Sequence, residues 1–158
     1  MKELARRWLA FADKDRQTCE QIKESRGLRA IAAFHVQQMI EKSLKAILVC
    51  QGQNPPRTHD LVRLAALVTA AVGKSVVNPD ELERINQYYT FSRYPLALEM
   101  DASEEPSAQE LTSMVSTGRT VLDLARQLVE RTSATEPGSG TGSDGRSDTS
   151  GGGPDHTT

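Results

Sequence analysis

Between Phe34 and Leu48 the chain reads FHVQQMIEKSLKAIL, and this run holds the residue types best suited to chemistry. At about 100° per helical residue, His35, Gln38, Lys42 and Lys45 share one stripe, with Glu41 beside them. Val36, Met39, Ile40, Leu44 and Ile47 fill the opposite sector. A solvated helix face is ordinarily Glu, Lys and Arg without a fixed plan. Here an imidazole and an amide sit where the stripe borders Ile31, Phe34 and Val49, so part of it is expected to be buried or to face a partner. Imidazole ordinarily titrates near neutral pH, which makes His35 the candidate general acid–base. A histidine that merely holds two helices together is the competing reading. Lys42 and Lys45 are the cations that would hold phosphates, with His35 and Gln38 supplying hydrogen bonds.

Three further ionisable residues stand in unexpected places. Asp15 lies in the apolar stripe of the first helix, a costly position unless the carboxylate is paired. It either anchors a basic residue of a neighbouring helix or orients one of the stripe's bases. His59 falls in a first helical turn beside Asp60, where a local cap contact is the plain reading. Arg93 stands in the last turn before Pro95, favoured by the helix dipole and free to reach sideways, with Tyr94 next to it. Asp15, His35, Lys42 and Arg93 are therefore expected to share one polar groove. Arg29 precedes His35 by six residues, a spacing that can serve RNA cleavage. On one helix that spacing is about 240°, so the two side chains diverge unless Arg29 lies in a non-helical turn or a dimer mate supplies the partner. Phosphate loops, dinucleotide fingerprints and metal-ligand clusters are absent from the sequence, so no metal and no cofactor is expected.

Five helices must position these groups, in an all-α fold. Helix one spans about Glu3 to Ser25, with Leu4, Trp8, Phe11, Cys19 and Ile22 expected on its buried face. Helix two spans about Leu28 to Gln51 and closes on Gly52, and Ile40, Leu44 and Ile47 belong to its core face. After the stiff Pro55-Pro56 loop, Thr58 is expected to cap helix three, from His59 to Val72, closed by Gly73. Asn78-Pro79-Asp80 restarts the chain into helix four, which reaches about Ser92 and Arg93. Ser107 and Glu110 form a capping box for helix five, ending near Arg131. Short connections between long helices give an antiparallel up-and-down bundle over residues 1–132.

From Ser133 to the end the sequence is almost entirely Gly, Ser, Thr, Asp and Pro, and residues 133–158 are expected to form a disordered tail. The chain has 19 Lys and Arg against 21 Asp and Glu; the tail takes one base and four acids, leaving 18 against 17 in the body, net +1. That balance does not advertise nucleic-acid binding through bulk charge. Cys19 and Cys50 lack metal spacing and read as buried reduced thiols. No signal peptide and no run of about 20 apolar residues is present, so a cytoplasmic protein without membrane insertion is expected.

FHVQQMIEKSLKAIL, then NPPRTHDLVRL, then INQYYTFSRYP, preceded by Trp8, Leu9, Ala12 and Asp15, together resemble a HEPN domain of the small bacterial and archaeal type. The likeness covers about residues 1–130. It implies a helical bundle that usually dimerises and is often encoded beside a minimal nucleotidyltransferase. Such a pair acts as a toxin–antitoxin or nucleotide-dependent regulatory module. The family's ribonucleases use an R-x4-6-H motif near the start of a late helix, assembled across a dimer. This chain has no histidine between Arg93 and the tail, and its only spacing match, Arg29 to His35, sits on helix two. The resemblance thus points first to a homodimeric HEPN partner that binds a nucleotide or a nucleotidyltransferase through the groove. A metal-independent endoribonuclease acting on RNA, with His35 as base and Arg29 or Arg93 on the phosphate, is the alternative.

Overall fold

In the computed structural model, residues 1–91 and 105–134 are described. They form α1 (Lys2–Ile22), α2 (Arg29–Cys50), α3 (Leu61–Val72), α4 (Pro79–Phe91) and α5 (Ala108–Ala134), with no strand among them. Arg93, Tyr94, Pro95 and residues 135–158 lie outside the described residues, and with them the far end of helix four and the expected tail except for Ser133 and Ala134, which belong to α5 instead.

The local signals behave as their chemistry dictates. Gln53 N–H bonds the carbonyl of Leu48 and Gly52 N–H that of Val49, with Gly52 at φ 79°; this pair of bonds closes α2 and only glycine adopts that turn cheaply. Asn78 Oδ1 accepts from Asp80 N–H at 3.0 Å to start α4. Ser107 Oγ accepts from Glu110 N–H at 3.1 Å while Glu110 accepts from Ser107 N–H at 2.7 Å, the reciprocal box that starts α5. Helix α5 runs three residues past Arg131, to Ala134. Helix α3 begins later than expected. Its cap is Asp60, whose carboxylate accepts from Val62 and Arg63, whereas Thr58 Oγ accepts from Asp60 N–H and only shapes the approach. Asn86 of α4 fastens this start, accepting from Leu61 N–H and donating to Asp60, each near 3 Å.

Helix α2 is the hub. It packs against all four other helices, and fourteen of its 22 residues are buried, which leaves only a narrow stripe facing solvent. Ile40, Leu44 and Ile47 lie in the core as expected. Opposite them on α5, Gly118 lets the two helices close: a Cβ there would fall 2.3 Å from Met39 Cε and 3.3 Å from Val36 Cγ1. The contacts of Trp8 with Lys45, and of Asp15 with His35, set α1 antiparallel to α2.

The face that α1 buries differs from the one the larger side chains advertise. Leu4 and Phe11 are 45% and 55% exposed, while Ala5 and Ala12 are fully buried; Trp8 and Ile22 are partly buried. The stripe is turned by roughly 50°, half a residue step. Alanines bring the two backbones close, and at that separation Asp15 reaches α2 directly. Cys19 shares the buried stripe, and both cysteines are free thiols.

Candidate functional site

The polar stripe of α2 is a seam of two carboxylates, each holding one histidine and one lysine. Asp15 comes from α1 and meets α2 side-on. Its Oδ1 accepts from His35 Nδ1–H at 2.9 Å, and Oδ2 accepts from the Lys42 ammonium. Residue Asp15 is 8% exposed, yet His35 and Lys42 keep 24% and 19% of their side chains in contact with solvent. Because Nδ1–H is committed to Asp15, the neutral tautomer that satisfies this bond has Nε2 as its acceptor. That is the arrangement by which a carboxylate orients an imidazole for proton transfer.

Glu41 is the second carboxylate, and it is more enclosed. Lys45 donates to it at 2.8 Å across one helical turn, and His59 Nδ1–H lies 3.1 Å from Oε2. Gln38 donates to Gln37 Oε1 at 2.8 Å and to Glu41 at 3.3 Å, while Gln37 donates to the His59 carbonyl at 2.9 Å. Glu41 and Lys45 keep only 5% and 8% of their side chains exposed, and the Lys45 ammonium sits 5.4 Å from the Trp8 ring centre. A buried charge pair of this kind holds only when its remaining hydrogen bonds are met. The two glutamines and His59 meet those of Glu41; the Trp8 ring lies over Lys45.

The seam therefore unites Asp15, His35 and Lys42, and sends Gln38 and Lys45 to Glu41. Arg93 and Tyr94 lie outside the described residues. Arg29 is the first residue of α2, in regular helix, and no hydrogen bond or ion pair joins it to His35 among the described residues; its Nε is buried without a partner. His59 departs from its expected role as a local cap: Asp60 caps, and His59 reaches back to α2. Glu41 read only as a neighbour of the stripe, although its i, i+4 spacing to Lys45 is the signal that could have promoted it. Nothing in one dimension brings His59, 18 positions away, to that carboxylate.

Beyond His59 the seam runs into an open cleft of about 500 Å³ lined by His59, Asp60, Glu83, Arg84, Asn86, Gln87, Tyr89 and Thr90. The His59 and Tyr89 rings stack there at 4.3 Å between centres and 18° between planes, with Phe34 at 6.3 Å from Tyr89 on α2's side. Among the described residues no group of three or more His, Cys, Asp and Glu side chains is placed to hold a metal ion, and no helix is long and apolar enough to cross a membrane.

Compared with curated proteins and with solved structures, the chain finds no match. The family model of the HEPN domain, by contrast, matches residues 5–128, a span that runs from the start of α1 to the last turns of α5 and includes every residue of the seam and the cleft. With four helices packed around α2 and that match over most of its length, the chain belongs to the HEPN domain family.

Proposed function

We propose that this HEPN protein is one half of a module paired with a nucleotidyltransferase, a toxin–antitoxin or nucleotide-dependent regulatory pair. In this reading the chain is a homodimer and engages its nucleotide or its partner through the α2 seam. The observation that carries it is the Asp15 junction: a buried carboxylate holds His35 and Lys42 in fixed positions while leaving both at the open edge. Groups so fixed lose little freedom when a ligand or partner meets them. Co-elution with the nucleotidyltransferase encoded by a neighbouring gene tests the reading. The wild-type chain should co-elute, and His35→Ala with Lys42→Ala should weaken the complex by about tenfold or more, the scale of one charge-assisted contact. Unchanged co-elution of the double variant would remove the seam from the interaction. Sedimentation at micromolar concentration should give a dimer, and a clean monomer would refute that part.

The Asp15–His35 bond also favours a second reading, a metal-independent endoribonuclease in which His35 Nε2 takes the 2′-hydroxyl proton. At helical spacing Arg29 points about 120° away from His35, so in this reading the phosphate's cation would come from the dimer mate or from Arg93. RNA cleavage in the presence of a chelator, lost in His35→Ala, would establish it; intact RNA would reject it.

A further inference from the structure

We propose that the cleft between α4 and the head of α3 docks an arginine side chain carried by a protein partner, with its methylene stem along the His59 and Tyr89 rings and its guanidinium between Asp60 and Glu83. This goes beyond the seam, and takes from the paired-module reading only that the partner is a protein. Charge decides the class of occupant. Asp60 and Glu83 line the cleft, and among the described residues no Lys or Arg forms an ion pair with either. Asp60 gives one oxygen to the fold: Oδ1 accepts from Val62 N–H, Arg63 N–H and the Asn86 amide. Its Oδ2 and both oxygens of Glu83 accept no hydrogen bond among the described residues. Arg84 lies at the other edge of the lining, about 140° around α4 from Tyr89, and is engaged elsewhere. The Ser107 backbone and hydroxyl hold the Glu110 carboxyl below its ordinary value of 4.5, and the Arg84 guanidinium adds to that pull. Anionic oxygens left open in this way favour a cation and repel a phosphate.

Geometry selects arginine among cations. Asn86 holds Asp60 at 3.0 Å against the middle of the stripe; Glu83 stands one turn earlier on α4 and Tyr89 one turn later. From Glu83 to Tyr89 the helix rises roughly 9 Å. At the Tyr89 end His59 is half exposed, stacked on the Tyr89 ring and tied through Nδ1–H to Glu41, a flat surface fixed in place. Flat rings at one end and open carboxylates at the other match a long side chain that lays its stem on apolar surface and keeps its head polar. A planar guanidinium donates to two carboxylates at once and stacks on aromatic faces, whereas an ammonium is a point charge with neither property. No third ligand stands ready for a metal ion among the described residues. The cleft is open and about 500 Å³ in volume, so one side chain enters while its backbone stays at the rim. Arginine is the charged residue enriched in protein interfaces and in their hot spots.

Titration of the isotope-labelled full chain with the blocked peptide acetyl-Gly-Arg-Gly-amide, followed by NMR, tests the site. The amide peaks of Glu83, Gln87, Tyr89 and Thr90 should move along one saturating curve at millimolar peptide. Glu83→Gln should weaken binding by about tenfold, the scale of one charge-assisted contact. Asp60→Asn should weaken it too. Glu83 is exposed and asparagine caps a helix about as well as aspartate, so neither change threatens folding. The same peptide with lysine in place of arginine should bind about threefold more weakly or worse, and the citrulline peptide, which keeps the shape and loses the charge, should leave the peaks in place. Equal binding of the lysine peptide would overturn the assignment to a guanidinium, and equal binding of the citrulline peptide would overturn the role of charge. Binding that ignores Glu83→Gln would place the peptide outside the cleft and overturn the site. Inorganic phosphate moving these peaks at lower concentration than the arginine peptide would show an anion site and overturn the proposal, as would no movement with the arginine peptide at all. The peptide needs no nucleotidyltransferase, so its failure leaves the paired-module reading to be decided by co-elution.

Discussion

Asp15 and Glu41 hold the same set of partners, a histidine Nδ1–H and a lysine ammonium, yet they sit in different surroundings. Asp15 joins two helices, and both its partners reach it from α2 with part of each side chain in water. Glu41 lies within α2; its lysine comes from the next turn, its histidine from the loop before α3, and two glutamines close the remaining positions. The same chemistry thus serves as an accessible junction in one place and as an internal tie in the other. What separates them is how many lone pairs are already used, and how far water reaches.

The widest gap between the two should appear when a carboxylate is deleted. Glu41→Ala leaves the Lys45 ammonium buried without its counter-charge, and chemical denaturation should show a loss of about 3–5 kcal/mol. A loss under about 1 kcal/mol would mean that water enters at Lys45 and that the two junctions are alike. The double variant Glu41→Leu with Lys45→Met removes the charges together and should recover most of that loss. Asp15→Asn is the milder counterpart. An amide keeps one acceptor for His35, and Lys42 can turn to solvent, so denaturation should show about 1–3 kcal/mol. A cost exceeding that of Glu41→Ala would reverse the ranking.

A more exposed carboxylate calibrates both. The Arg16 guanidinium bonded to Asp13 holds that carboxyl below its ordinary value of 3.8, with Gln17 and Arg126 adding to the effect against partial burial. A folded-state pKa below the unfolded one gives stability that is present above the unfolded value and is lost as pH falls through the folded one. The Tm of Asp13→Asn should therefore lie below wild type at pH 6 and converge on it below about pH 4. Parallel curves over that range would mean that Arg16 and Arg126 contribute nothing at this position. The smallest difference concerns the thiols. Burial pushes Cys19, on the Asp15 stripe, up to about 11, and raises the less enclosed Cys50 as well. Alkylation of the native protein followed by mass spectrometry should modify Cys50 before Cys19. The opposite order would show that α1 separates from α2 at the Asp15 junction.

The sequence carried the helices and their ends well where the signal is local. Asn78 with Asp80, Ser107 with Glu110, and Gly52 all act within a few residues of one another. Asp15 is legible as an inward carboxylate because a charge in an apolar stripe demands a partner, and the spacing of His35 and Lys42 along one stripe of α2 makes them available to it. The face of α1 was misread for a physical reason. Leu4 and Phe11 dominate any hydrophobic pattern, but Ala5 and Ala12 permit the closer approach, and closeness won. The role of His59 was hidden because its partner lies on another element, across a proline-rich loop whose path no spacing rule gives.

Because α2 touches every other helix and buries fourteen of its 22 residues, most of them in its middle turns, those turns are the most enclosed stretch of helix among the described residues. In hydrogen exchange its middle turns should be the last to label, released only when the whole domain unfolds. The seam is therefore carried by the slowest-moving part of the molecule. Any opening and closing around His35 and Lys42 belongs to the neighbours of α2 and to side-chain rotation, while the helix that bears them stays still.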